Sequence, residues 1–338
     1  MSDILNKLTK QITENQILPA DQMTAGFDEM MEGKASPVQM AAFLIALKMR
    51  GEAPSDIAAG AGSLRRHALT LDAPDNAMDI VGTGGDGIGT YNISTATALV
   101  LAGAGIPIAK HGNKAVSSKS GAADVLTALG INLDCSEEAL SEALTAAKIV
   151  FLMAPRHHSA MRHVGPIRAE LGVRTIFNLL GPLSNPALVR RILVGVFDAR
   201  WLQPFAEALR TLGTTDAFIV HGADGLDELS TTGSNQITML KDGQISETTL
   251  HPSDLSLPTA SLSDIKGGSA EENATALREL LSGKEGPYRN IVLMNAAAAF
   301  VAGGHEKEMA VGLERARRSI DTKAAQSALD QLISCLLY

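Results

Sequence analysis

Two segments rich in glycine and hydroxyl side chains carry most of the chemistry legible in this chain. They are Val81 to Thr95, VGTGGDGIGTYNIST, and Lys110 to Val125, KHGNKAVSSKSGAADV. Glycine lets a backbone approach a ligand closely, successive N–H groups form an anion-binding concavity, and Ser, Thr and Lys supply further donors. Phosphate is the ligand that such segments suit. Asn92, Ser94 and Thr95 fall at the start of an expected helix, where free N–H groups and the dipole favour an anion. Capping that helix would take one hydroxyl. The second segment gathers Lys110, Lys114, Lys119, Ser117, Ser118 and Ser120, more donors than a cap can use.

Two smaller features add to this. Asp227 and Glu228 are adjacent acids after an expected strand: a solvated loop, or oxygen ligands of the kind Mg²⁺ takes alongside substrate phosphates and water. Arg168 follows Gly165-Pro166 on an expected helix: a surface residue, or a planar bidentate partner for a carboxylate. Other phosphate folds fit poorly. Gly82, Gly84 and Gly87 satisfy GxGxxG, but the dinucleotide fold wants an acid at the end of the next strand, and here that strand ends in Ala109-Lys110-His111-Gly112. No Gly-Lys-Ser/Thr stands at P-loop spacing.

The elements that must position these residues come in two styles. From Ile4 to Leu69 apolar residues recur at helical spacing, as in Met40, Phe43, Leu44 and Leu47. Ser36-Pro37 reads as a helix start, Gly51 as a stop, and Ser55 as the cap of a helix running from Ile57 to His67. Beyond LDAPDNA, short apolar runs at Asp79–Val81, Ile106–Ala109, Ile149–Met153, Ile192–Phe197 and Ala217–Val220 alternate with helices expected from Ser94, Ser120, Ser136 and Arg200. That alternation predicts a mainly parallel sheet covered by helices. Residues 237–250 read as a hairpin turning at Asp242-Gly243, and Glu271 to Leu337 as mostly helical.

Composition sets outer limits. A chain of 338 residues exceeds what one core usually supports, so two domains are expected. A net charge of -8 argues against nucleic acid as a partner. Two separated cysteines, Cys135 and Cys335, imply neither a disulfide framework nor a zinc site. With no apolar run near the ~18 residues of a membrane span, and no apolar leader after MSDILNKLTKQ, a soluble cytoplasmic protein is expected, with no membrane partner.

GTGGDG followed by NIST, then KHGN and SSKSG, resemble the anthranilate phosphoribosyltransferase family of tryptophan biosynthesis. Gly165-Pro166-Ile167-Arg168, FNLLGPLSNP from Phe177 to Pro186, and DGLDELS from Asp224 to Ser230 continue the resemblance in the same order. It implies an α/β fold with a small helical domain, residues 1–70 plus part of about 165–190, that dimerises. The remaining 71–164 and 191–338 form a larger α/β domain. It further implies 5-phosphoribosyl 1-diphosphate and anthranilate as substrates, Mg²⁺ as cofactor, and a homodimer. Donor contacts are implied at Gly82, Gly85, Asp86, Thr90, Asn92, Ile93, Ser94, Thr95, Lys110, His111, Gly112, Asn113, Lys114, Ala115, Val116, Ser117, Ser118 and Ala122. Anthranilate contacts are implied at Gly82, His111, Asn113, His158 and Arg168, and metal contacts at Ser94, Asp227 and Glu228, with no acid/base or nucleophilic residue. His157 and His163 are expected to be structural or exposed. The chain departs from the family pattern at Ala122, at Ile88-Gly89 and at Ser159 after His158. Two rival readings are a pyrimidine nucleoside phosphorylase, whose comparable loop is KHS-like, and an inactive relative that binds nucleic acid. KHGN and the DELS acids, which suit a metal-bound diphosphate rather than free phosphate, weigh against the first, and complete loops with acidic net charge against the second.

Overall fold

The computed structural model of the chain describes residues 2–114 and 120–337. Four helices open it: α1 (Asp3–Thr13), α2 (Ala20–Met31), α3 (Pro37–Arg50) and α4 (Pro54–Arg66). Local signals fix α3 well. Ser36 Oγ accepts from the Gln39 N–H at 3.3 Å, the Gln39 side chain accepts from the Ser36 N–H at 3.0 Å, and Pro37 occupies the first turn. Ser55 is not the cap of α4. Pro54 pulls the start back, Ala53 is the cap residue, and the Asp56 carboxylate accepts from its N–H at 2.8 Å while pairing with the buried Arg50.

The α/β part runs β1 (Met78–Gly82), α5 (Ile93–Gly103), β2 (Ile108–Gly112), α6 (Ala122–Ala128), α7 (Glu137–Ala146), β3 (Ile149–Met153), α8 (Ala154–His157), α9 (Gly165–Leu171) and α10 (Phe177–Leu180). It continues through β4 (Arg191–Gly195), α11 (Leu202–Thr211), β5 (Asp216–His221), β6 (Asn235–Lys241) and β7 (Gln244–Leu250). The chain closes with α12 (Ala270–Leu281), α13 (Pro287–Ala302), α14 (Met309–Asp321) and α15 (Ala324–Cys335). The seven strands lie in the order β3-β2-β1-β4-β5-β6-β7, parallel through β5, with β5, β6 and β7 antiparallel. Asp242 and Gly243, at φ 49° and 76°, make the tight hairpin expected there.

Several boundaries moved, each for a local reason. Pro107 has no N–H for the ladder, so β2 starts at Ile108 and runs on through Lys110, His111 and Gly112. Lys110 and His111 are therefore strand residues under the sheet edge rather than loop residues. The helix expected from Ser120 starts at Ala122, because the Asp124 carboxylate accepts the Gly121 N–H at 2.8 Å. β4 stops at Gly195, two residues early, since the Phe197 N–H turns to Thr83 Oγ1 at 3.1 Å. Arg200 lies in a 3-10 turn that precedes α11.

Strand alternation divides the apolar side chains between two cores. Ile192, Val194, Ala217, Ile219 and Leu240 join the helices α1 to α4, α11 and residues 160–183. Leu193, Phe218, Val220 and Ile237 face α5, α13 and α15. Strand order reverses between β1, whose crossovers lead to β2 and β3, and β4, which leads to β5. That switch point is where open α/β sheets leave a crevice for a ligand. Among the described residues, no helix is long and apolar enough to cross a membrane.

Candidate functional site

Gly82 and Gly195 are register partners at the C-terminal ends of β1 and β4, directly at the switch point. Asp227 occupies the room their missing side chains leave. A Cβ on Gly195 would lie 1.5 Å from the Asp227 carbonyl oxygen, and one on Gly82 would lie 2.2 Å from Asp227 Oδ2. The glycine loop then folds over the acid: Gly84, Gly85, Gly87 and Gly89 all have positive φ, and the Gly84 N–H donates to Asp227 Oδ2 at 2.6 Å. Asp86 follows on the same loop. Carboxylate oxygens of Asp86, Asp227 and Glu228 lie within 4.8 Å of one another. The sequence placed Asp227 and Glu228 together, but gave no sign that Asp86 faces them.

Three acids so close repel one another in a poorly solvated place. Burial, then the Asp86 charge, pushes the Asp227 carboxyl up to about 7. Burial and the Asp227 and Asp86 charges push Glu228 well above its usual value. Lys110 is the cation beneath them. Its ammonium is buried, donates to the Ile80 carbonyl and to Ser94 Oγ (3.2 Å), and is drawn down by burial against the pull of Asp79, Glu228 and Asp227. Ser94, Asp227, Glu228 and Asn295 line one small cavity at this point. A hard divalent cation fits such a donor set, since Mg²⁺ takes carboxylate and hydroxyl oxygens and relieves their repulsion.

Braces that the sequence did not reveal surround these groups. The Asp79 carboxylate, pushed up to about 6 by burial, accepts from the Ile80 and His111 N–H groups and from Asn185 Nδ2 (2.7 Å). Asn295 Oδ1 accepts the Leu229 N–H at 3.0 Å and its Nδ2 donates to the Leu229 carbonyl at 2.8 Å, which pins the acid loop. Arg174 donates to the Gly85 carbonyl, and its guanidinium lies 4.3 Å over the Phe197 ring. Asn185 is the penultimate residue of the FNLLGPLSNP motif, but nothing in one sequence links an asparagine to an acid 106 residues away.

The other expected residues are distributed around this centre. Thr90 pairs with Lys266, Ile93 is fully buried so that only its backbone is available, and Thr95 is buried beneath the first turn of α5. Gly112 packs against Phe151, Asn113 and Lys114 are exposed, and Ala122 opens α6. Ala115, Val116, Ser117, Ser118 and Lys119 lie outside the described residues. His111 and His158 are buried with ring centroids 5.1 Å apart, and burial pushes them down to about 3 and about 4, so both are neutral near pH 7. His157 Nδ1 meets the Leu69 carbonyl at 2.6 Å, a structural role. His163 packs against Gly33. Arg168, half-buried in α9, has its guanidinium 5.5 Å over the Phe177 ring and no carboxylate partner among the described residues.

The Asp227 shift makes a stability prediction. An unfolded aspartate titrates near 4, whereas the folded one holds its proton to about 7. The folded state therefore binds the extra proton between those values, and this contribution to stability is lost as pH rises through the window. Relative to the parent, Asp227→Asn is expected to gain thermal stability from pH 4 to 7 in chelator, and to lose any stabilisation by Mg²⁺. Parallel melting curves over that range would contradict the assignment.

Comparison with known proteins agrees with this fold. Residues 2–68 match the helical bundle domain, and residues 74–326 the a/b domain, of a glycosyl transferase family. The anthranilate phosphoribosyltransferase of Parvibaculum lavamentivorans is 52% identical over 324 residues, 96% of this chain and 95% of that one. The enzyme of that name from Xanthobacter autotrophicus is 50% identical, covering 97% and 95%. Among solved structures, the Thermus thermophilus anthranilate phosphoribosyltransferase superposes with a TM-score of 0.93 at 41% identity, covering 98% and 99% of the two chains. The Saccharomyces cerevisiae enzyme in complex with PRPP and Mg superposes at 0.91 and 30%, covering 99% and 98%. The chain thus belongs to the anthranilate phosphoribosyltransferase family, with its helical bundle and a/b domains both in place.

Proposed function

We infer that the protein transfers the 5-phosphoribosyl group of 5-phosphoribosyl 1-diphosphate to the amino group of anthranilate, releasing diphosphate and forming N-(5-phosphoribosyl)anthranilate, a step of tryptophan biosynthesis. The observation that carries this reading is the cluster Asp86, Asp227 and Glu228, set against a glycine loop at the switch point of the sheet. Asp227 and Glu228, with Asp86 and the Ser94 hydroxyl, hold Mg²⁺. When bound, Mg²⁺ neutralises charge on the departing diphosphate.

The chain's own residues do the rest. Backbone N–H groups of the glycine loop and of the first turn of α5, with Asn92, Ser94, Lys110 and the segment from His111 through Ala122, hold the donor's phosphates and ribose. Arg168 pairs its guanidinium with the anthranilate carboxylate, while Gly82, His111, Asn113 and His158 line the place of its ring. Neutral His111 and His158 add no second cation there. Bond breaking at ribose C1 is assisted by holding the amine in line and by neutralising charge, and no side chain serves as nucleophile. The amine proton leaves late, after the new C–N bond has formed, and passes to water or to the departing diphosphate.

We further infer a homodimer through the helical unit, residues 1–70 with part of 165–190, in the cytoplasm, where Cys135 and Cys335 stay as free thiols. An apolar groove between α1 and α3 supports it, lined by Ile12, Val38, Ala42, Ile45 and Met49, with Val38 78% and Met49 80% exposed. A second copy of the chain occupies that groove.

Three outcomes are expected. Anthranilate fluorescence falls on adding the phosphoribosyl donor with Mg²⁺ and persists in chelator; fluorescence that persists in both would sink the reading. Arg168→Ala raises the anthranilate KM on the order of 10- to 100-fold and leaves the donor KM nearly unchanged. Equal anthranilate KM values in steady-state kinetics would remove that role. Val38→Asp shifts the mass seen by light scattering from dimer to monomer, and an unchanged mass would place the interface elsewhere.

A further inference from the structure

We propose that Asn273, on α12, is a positioning residue for the phosphoribosyl donor: it draws the Asn92 side chain off the N-terminus of α5 and keeps that terminus open for a phosphate group. The inference rests on the donor reading above. Asn92 is the cap residue of α5, and asparagine is among the best side chains for bonding the first-turn N–H groups of a helix. Here it makes no such bond. Its ψ of 72° departs from the extended conformation usual at a cap, and the Ile93 N–H closes a tight turn onto the Tyr91 carbonyl at 2.8 Å.

The cause lies 181 residues away. Asn273 Nδ2 donates to Asn92 Oδ1 at 2.9 Å. Its orientation is fixed by the backbone: the Gly268 N–H can only donate, and it meets Asn273 Oδ1 at 2.8 Å, so the amide nitrogen must face Asn92. The Asn92 atom facing it must then be the oxygen. Asn92 has one side-chain acceptor atom, and Asn273 holds it where it bonds none of the first-turn N–H groups. Its Nδ2 makes no hydrogen bond to another described residue and offers donors only. Asn273 itself is buried, and Gly267 is pressed between it and the donor loop, where a Cβ would lie 2.5 Å from the Thr90 carbonyl oxygen and 3.0 Å from Asn273 Oδ1. Tyr288 completes the brace, its hydroxyl donating to the Asn92 carbonyl at 3.3 Å and its ring stacking on Tyr91 at 4.5 Å.

The consequence follows from what a phosphate requires. The Ser94 and Thr95 N–H groups lie in the first helical turn and have no partner within the helix. If Asn92 Oδ1 were free it would take one of them as an internal cap and compete with the ligand. Held by Asn273, Asn92 turns from a competitor into a donor, and an anion meets N–H groups alone.

The test is a double-variant cycle on donor kinetics, using Asn273→Asp, which keeps a partner for the Gly268 N–H, and Asn273→Ala. Each is expected to raise the donor KM about tenfold while leaving the anthranilate KM within about twofold. In an Asn92→Ala background the same changes are expected to alter the donor KM less than about twofold, because the side chain on which Asn273 acts is gone. Melting curves taken alongside identify any variant that has lost its fold, and Asn273→Asp then carries the comparison. An unchanged donor KM in both single variants would overturn the proposal, as would effects that multiply in the double variants. Absence of anthranilate turnover by the parent protein would overturn the donor reading itself and this inference with it.

Discussion

Everything at the site depends on the seat of Asp227 above the paired glycines at the ends of β1 and β4. Only hydrogen at those two positions lets the acid loop descend onto the sheet edge, and only there can the Gly84 N–H reach the carboxylate. The arrangement stores electrostatic repulsion: three acids, little water, and one buried ammonium that also serves Ser94 and Ile80. A site so built is poorly satisfied alone and favours a cation that arrives with its own phosphate ligands. The cost is spread over neighbours. Asp79, Asn185 and Asn295 hold the strands and the acid loop so that repulsion cannot simply push the acids apart.

The two cores meet at this seat, so residues from both faces of the sheet border one crevice. Residues 158–185, which carry His158 and Arg168, pack largely into the core of the helical bundle, whereas the glycine loop and α5 belong to the opposite face of the sheet. Arg174 joins the two sides. It grips the Gly85 carbonyl and covers Phe197, while its own carbonyl accepts from Lys48 of α3 at 2.9 Å. Arg174 lies six positions after Arg168, so the helix that carries Arg168 and the glycine loop are tied through a short stretch of chain.

Much of this could be read from the sequence because its signals are local. Alternation of apolar runs and helices predicts the parallel sheet, Asp242-Gly243 predicts the hairpin, and Ser36-Pro37 with Gly51 brackets α3. The glycine loop is legible for the same reason, whereas Asp227 and Glu228 read equally well as a solvated loop, and only the family resemblance points to a metal there. Local reading failed where a competing local group won, as at Ser55, displaced by Asp56, and at Ser120, displaced by Asp124. It was blind to Asp79, Asn185, Asn273, Asn295 and Arg174, whose work is done by partners far along the chain. An asparagine within a helix carries no mark of the loop it braces.

The most direct measurement is crystallographic: crystals grown with the phosphoribosyl donor and Mn²⁺, with data collected at the manganese edge. The account predicts one strong anomalous peak bonded to carboxylate oxygens of Asp227 and Glu228 at about 2 Å, with the donor's diphosphate completing the coordination. Ordered donor with the metal bound away from both acids would contradict it.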